Sequence, residues 1–166
     1  GVREVDVSPF IIKKEKLEAL QDHLLLFFTG FSRTASEVAT EQIATISERE
    51  KELYRMMEIC NEAESLIVSE KDTIKEIGSL LNQQWLIKRD LTNKISNPEI
   101  DAIYEKMIQA GAIGGKLLGA GGGGFMLCYA DPSTHQDIKE SLNDLLHVPF
   151  RFDFTGSQII YHGQHI

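Results

Sequence analysis

GGKLLGAGGGGFMLCY, residues 114–129, places four consecutive glycines, Gly121 to Gly124, between two apolar runs of strand length. Each glycine costs backbone entropy on folding, and a tight hairpin needs only one or two of them. The stretch therefore predicts two strands joined by a loop whose backbone serves more than a turn. Consecutive N–H groups unscreened by Cβ atoms can form an anion-binding concavity, so phosphate is one candidate neighbour; a flexible hairpin connection is the plain alternative. Neither common phosphate loop fits. Lys116 precedes the glycines and no Ser or Thr follows to hold magnesium, against the GxxxxGK[ST] order. Gly119, Gly121 and Gly124 lead into FMLCY rather than into a helix, against a dinucleotide-binding turn.

Upstream, LLLFFT at 24–29 is a continuous apolar run, expected to be a central strand covered on both faces. REVDV at 3–7 alternates as a further strand would, and 13–21 reads as a short polar connection. From Ser32 to about Ala63, apolar residues including Val38, Ile46, Leu53 and Met56 recur at helical spacing, predicting one long amphipathic helix with the charged block 48–52 in solvent. Ser69 and Asp72 resemble a capping box for a second helix carrying Ile74, Ile77, Leu81, Trp85, Lys88 and Leu91. Ser96 or Asn97 caps a third, with Pro98 in its first turn and Gly111 at its end. Beyond the strand Phe125 to Ala130, Asp131 and Pro132 open a helix through Ile138 and Leu142, and 148–154 and 158–161 read as closing strands. This order gives an α+β fold with a mostly antiparallel sheet, and residues 1–166 read as a single domain.

The bulk composition narrows the function classes. A chain of 166 residues, 42% hydrophobic and 25% charged, buries a real core. The net charge of -8 and scattered basic residues argue against nucleic acid as a partner. No apolar run approaches the roughly 20 residues that span a bilayer, and GVREVDVSPF lacks the apolar core of a signal peptide, so a cytoplasmic protein with no membrane partner is expected. Cys60 and Cys128 have no CxxC or histidine partner and are expected to be buried thiols. The five histidines show no metal or triad spacing, and no metal site is assigned.

GGKLLGAGGGGF resembles the third signature motif of the GHMP kinases, the superfamily of galactokinase, homoserine kinase, mevalonate kinase and phosphomevalonate kinase. TGFSR at 29–33, QQWLIKRDL at 83–91, SNPEIDAIY at 96–104 and VPFRFDFTGSQIIY at 148–161 resemble the branch that phosphorylates D-glycero-D-manno-heptose 7-phosphate at the anomeric hydroxyl. The resemblance implies a ferredoxin-like C-terminal domain, with Gly119, Ala120, Gly121, Gly122, Gly123 and Gly124 beside the nucleotide phosphates. It implies ATP and Mg2+ as cofactors of a complete enzyme and a sugar phosphate as substrate. The family's Ser-rich PxxxGLGSS loop and its catalytic aspartate belong to an N-terminal half, and neither motif occurs here. The chain alone is therefore expected to be inactive, with no catalytic residue of its own and with the N-terminal half as its partner. The apolar face that such a half covers would also favour a homodimer of the chain.

Thr29, Ser32, Arg33 and Thr34 sit where a strand hands over to a helix. Hydroxyls and the Arg33 guanidinium can meet a sugar or its distal phosphate there, or simply cap the helix. Lys88 shares a helix face with Trp85 and points either to the cleft or to solvent; Lys116 points either to phosphate or to the outer face of its strand. Thr29, Arg33, Lys88 and Lys116 are the candidate substrate-binding residues. Two rival readings stay open, a kinase for fucose or galactose and a non-catalytic ferredoxin-like module for ligand binding or dimerisation.

Overall fold

The computed structural model describes residues 11–30, 35–71 and 73–159. Four strands, β1 (Leu24–Phe28), β2 (Ala112–Leu117), β3 (Phe125–Ala130) and β4 (Leu146–His147), form one sheet in the order β2-β3-β1-β4. Every neighbouring pair is antiparallel, with Leu25 opposite Cys128, Gly115 opposite Cys128 and Phe27 opposite His147. The helices α2 (Ala35–Thr45), α3 (Glu50–Val68), α4 (Ile74–Arg89) and α5 (Pro98–Gln109) lie between β1 and β2 in the chain, and α6 (His135–Ser141) lies between β3 and β4. Each of these two crossovers skips one strand, which is the split β-α-β arrangement of ferredoxin-like domains. The expected fold class is the observed one.

One face of the sheet, carrying Leu25, Phe27, Leu117, Met126 and Cys128, closes the main core with Ile100, Ile103 and Met107 of α5 and Ile138 of α6. Asn97 caps α5 by accepting from the Ile100 amide at 2.9 Å, and Pro98 occupies the first turn, as the sequence predicts. Helix α4 lies close on β2: a Cβ on Gly114 would stand 2.2 Å from the carbonyl oxygen of Gly78. Only glycine permits this approach, and it carries the last turn of α4, with Lys88, to the start of the glycine loop.

Several expectations are corrected. The polar connection at 13–21 is a helix, α1 (Lys14–Asp22). Its Lys16 Nζ donates to the carbonyls of Leu66 and Ser69 at 2.6 Å each, so a tertiary bond to the end of α3 holds a segment whose own pattern is weak. The single long helix breaks at a 3-10 turn, Ile46–Glu48. There the Thr45 hydroxyl bonds back to the carbonyls of Glu41 and Gln42, and Thr45, Ile46 and Ser47 are all poor helix formers. Ser69 is the C-cap of α3 and accepts from the Lys71 amide rather than opening α4, whose N-cap is Thr73.

Strand β1 is central but not covered on both faces: Leu25 and Phe27 are buried, Leu24 and Leu26 are half-buried and Phe28 is exposed. Residues 148–154 do not form a strand. The Val148 amide reaches the Leu26 carbonyl at 2.8 Å, and Pro149, which has no N–H, follows it at the sheet edge. No strand forms at 158–159, and the remainder of that expectation, like the strand at 3–7, lies outside the described residues. Cys128 is buried, whereas Cys60 is exposed on α3. Among the described residues no helix is long and apolar enough to cross a membrane.

Candidate functional site

The connection between β2 and β3 is closed at its base by the Leu118 amide donating to the Phe125 carbonyl at 2.8 Å. Within it, Gly119, Gly121, Gly122, Gly123 and Gly124 all take positive φ, a conformation that side chains rarely adopt. At Gly121 the need is doubled, since a Cβ there would meet the Ile95 Cα at 2.7 Å. The neighbouring Gly122 amide donates to the Ile95 carbonyl at 2.8 Å. The loop is thus pressed onto the backbone that leads into α5, and it is a built feature rather than a slack turn.

The far end of the loop is fixed from β1. Thr29, buried and next after the strand, donates its amide and its hydroxyl to the Gly124 carbonyl at 2.9 Å each. The near end is fixed from α4, where Lys88 Nζ donates to the Gly119 carbonyl at 2.6 Å. Lys116 of β2 donates to Gln84 Oε1 at 2.8 Å, and Gln84 lies one helical turn before Lys88 on α4. Thr29 and Lys88 therefore hold opposite ends of the glycine loop, and Lys116 stands beside the Lys88 end through Gln84. Arg33, with Ser32 and Thr34, lies outside the described residues.

The electrostatics of the two lysines are unusual. Burial, and then repulsion from the Lys116 ammonium, lower the Lys88 pKa from 10.5 to about 8. Burial also lowers Lys116, with the Cys60 thiol opposing. Arg89, by contrast, lies beside Asp90 and Asp101 at 3.6 and 3.7 Å, outside this cluster. Trp85 is fully buried in the core near the Tyr104 ring, with centroids 6.1 Å apart, so it anchors the helix that presents Lys88.

Two contributors were not among the candidate site residues, although Gln84 lies within QQWLIKRDL at 83–91. Gln84 holds Lys116 and also donates to Cys60 Sγ at 3.1 Å. Ile95 acts through its backbone alone. Among the described residues no group of three or more His, Cys, Asp or Glu side chains is placed to hold a metal ion.

The split β-α-β sheet that carries this loop is shared with known domains. The GHMP kinase C-terminal family matches residues 63–148, just over half of the chain, and the chain belongs to that family. It is 30% identical over 157 residues to D-glycero-alpha-D-manno-heptose 7-phosphate kinase of Campylobacter jejuni, a match covering 92% of this chain and 45% of that protein. It is 29% identical to the bifunctional fucokinase/GDP-fucose pyrophosphorylase of Arabidopsis thaliana, covering 84% of this chain and 14% of that protein. Among solved structures, mevalonate kinase of Methanococcus jannaschii superposes with a TM-score of 0.66 at 23% identity, covering 82% of this chain and 42% of that one, and shows the same fold. The chain spans less than half the length of the curated relatives it matches.

Proposed function

We propose that these 166 residues form the single C-terminal domain of a longer cytoplasmic, ATP-dependent sugar kinase that phosphorylates D-glycero-D-manno-heptose 7-phosphate at the anomeric hydroxyl. The observation that carries this reading is the glycine loop of a GHMP kinase C-terminal domain, held at one end by Thr29 and at the other by Lys88, with Lys116 joined to the Lys88 end through Gln84. The similarity to a heptose 7-phosphate kinase supports the choice of acceptor.

In this reading the backbone of Gly119 to Gly124 lies beside the phosphates of ATP. The γ-phosphoryl group passes to the sugar hydroxyl oxygen, ADP leaves, and the hydroxyl proton goes to a base in the N-terminal half. This chain's part is to bind, orient and exclude water, which is most of what phosphoryl transfer asks of a protein. Lys88, Lys116 and Arg33 contact the substrate, while Thr29 fixes the loop. No described residue is assigned to Mg2+.

Phe28 and Phe125 flank Thr29 and Gly124, pair their rings at 5.3 Å, and remain 37% and 38% exposed. That apolar pair beside the site suits a covering N-terminal half, or a second copy when the chain is alone.

A free sugar of the fucose or galactose type is the second reading, favoured by the likeness to a fucokinase. The test is ADP release by this chain joined to the sequence encoded directly upstream, with Mg-ATP and each acceptor in turn. Turnover with heptose 7-phosphate supports the first reading, turnover with only a free sugar supports the second, and turnover with none removes both.

A further inference from the structure

Six of the fifteen described cations are neutralised where they stand. Lys13, Lys14, Arg49, Arg55, Arg89 and Lys94 each sit on a carboxylate. Lys88 and Lys116 do not, and they differ from Lys16, another half-buried lysine bonded only to neutral oxygens, in standing as a pair. Both are half-buried, Lys116 is held by Gln84 one helical turn of α4 before Lys88, and among the described residues neither is ion-paired to a carboxylate, although acidic residues outnumber basic ones 25 to 17. Their hydrogen bonds go instead to neutral oxygens, the Gly119 carbonyl and Gln84 Oε1.

Holding two ammonium groups together, partly out of water and without a counter-charge, is unfavourable in the free protein. The arrangement becomes favourable when an anion of matching charge arrives, and its donors are already oriented. Gln84 fixes the Lys116 head group from α4, and Lys88 is fixed one turn later on the same helix. A monoanion leaves one ammonium uncompensated. A phosphate monoester, which carries about -1.5 to -2 charges at pH 7 with three acceptor oxygens, matches both.

We infer that Lys88 and Lys116, with Gln84 as the positioning residue for Lys116, form a seat for a phosphate-monoester dianion at the Gly119 end of the loop. The inference rests on the proposed function only for which molecule brings the phosphate. The non-reacting phosphate of a phosphorylated sugar and the terminal phosphate of a nucleotide share this chemistry. If the sugar brings it, these two lysines make the domain select phosphorylated acceptors over free fucose or galactose.

The test uses the 166-residue chain, with its lysine ε-carbons observed by NMR at low ionic strength and pH 7, and inorganic phosphate as the probe. Saturable shifts of the Lys88 and Lys116 signals are expected. Lys88→Met and Lys116→Met should each weaken phosphate binding by about tenfold, the scale of one charge-assisted hydrogen bond, while Lys75→Met at the start of α4 leaves it unchanged. Trp85 fluorescence reports whether each variant is folded, and Lys88→Gln and Lys116→Gln serve where a methionine variant is not. An absence of saturable shifts at the two lysines, or equal affinity in folded variants, overturns the seat.

Displacement of phosphate by heptose 7-phosphate but not by Mg-ATP assigns the seat to the acceptor; the reverse assigns it to the nucleotide and overturns the acceptor selectivity. Phosphate binding that persists while the joined polypeptide releases no ADP with any acceptor retains the seat and removes the kinase reading.

Discussion

Thr29 donates both its backbone amide and its side-chain hydroxyl to the carbonyl oxygen of Gly124, each at 2.9 Å. The end of the central strand and the end of the glycine loop are thereby held by one residue. Thr29→Val keeps the shape and the amide bond but loses the hydroxyl bond. It should lower stability by about 1 kcal/mol in urea unfolding, the usual net value of one hydrogen bond, with Thr29→Ser close to the parent. Equal stability of the valine variant and the parent would remove the hydroxyl from the clamp.

Gly121 and Gly119 separate two reasons for a glycine. Both have positive φ, but a Cβ at Gly119 meets nothing within 4 Å, whereas at Gly121 it strikes the Ile95 backbone at 2.7 Å. Gly119→Ala should cost about 1–2 kcal/mol, from conformation alone. Gly121→Ala should cost clearly more and lower the melting temperature further, because the clash adds to the strain. Equal melting temperatures would mean that the loop is not pressed onto Ile95.

Lys88 gives a pH signature. Its pKa is about 8 in the folded chain against 10.5 as the ordinary value, so at pH 7 the folded state carries the full cost of a charged, half-buried ammonium. Between those two values the folded state has shed the proton that the unfolded state still holds, so this group makes stability rise with pH there. Lys116 on β2 is the charged group that faces Lys88, and burial lowers its pKa as well. Lys88→Met should therefore be more stable than the parent at pH 7, with the advantage shrinking toward pH 10. Phosphate affinity should fall above pH 8, approaching about tenfold per pH unit where binding needs the protonated amine. A stability difference that does not change with pH contradicts the assignment.

The two thiols should react in sequence. Cys60 is exposed, while Cys128 is buried, with its pKa pushed up to about 12 by that burial. A disulfide-exchange reagent at pH 8 should modify one thiol in the native chain and two in denaturant. Two fast equivalents under native conditions would place Cys128 in an open state.

What the sequence makes legible is what local chemistry fixes. The run LLLFF, the Asn97–Pro98 cap and the glycine cluster each carry their reason in a few adjacent residues, and all three appear where they are expected. Helix α1 was not legible because its anchor, Lys16, acts on carbonyls some fifty residues away, at Leu66 and Ser69. The break at Ile46–Glu48 overrides a continuous apolar periodicity, and the exposure of Cys60 depends on how α3 packs against α4. Within the site, lysines 88 and 116 stood out by residue type. Gln84 and Ile95 did not, since one is an ordinary helix residue and the other contributes only backbone.

On the proposed reading this chain is one half of a sugar-phosphate kinase. The most direct measurement is ADP release with Mg-ATP and D-glycero-D-manno-heptose 7-phosphate, run side by side on the chain alone and on the chain joined to its upstream sequence. Silence from the chain alone and turnover from the joined polypeptide is the expected pair of results. Turnover by these 166 residues unaided, or silence from a folded joined polypeptide, would contradict it.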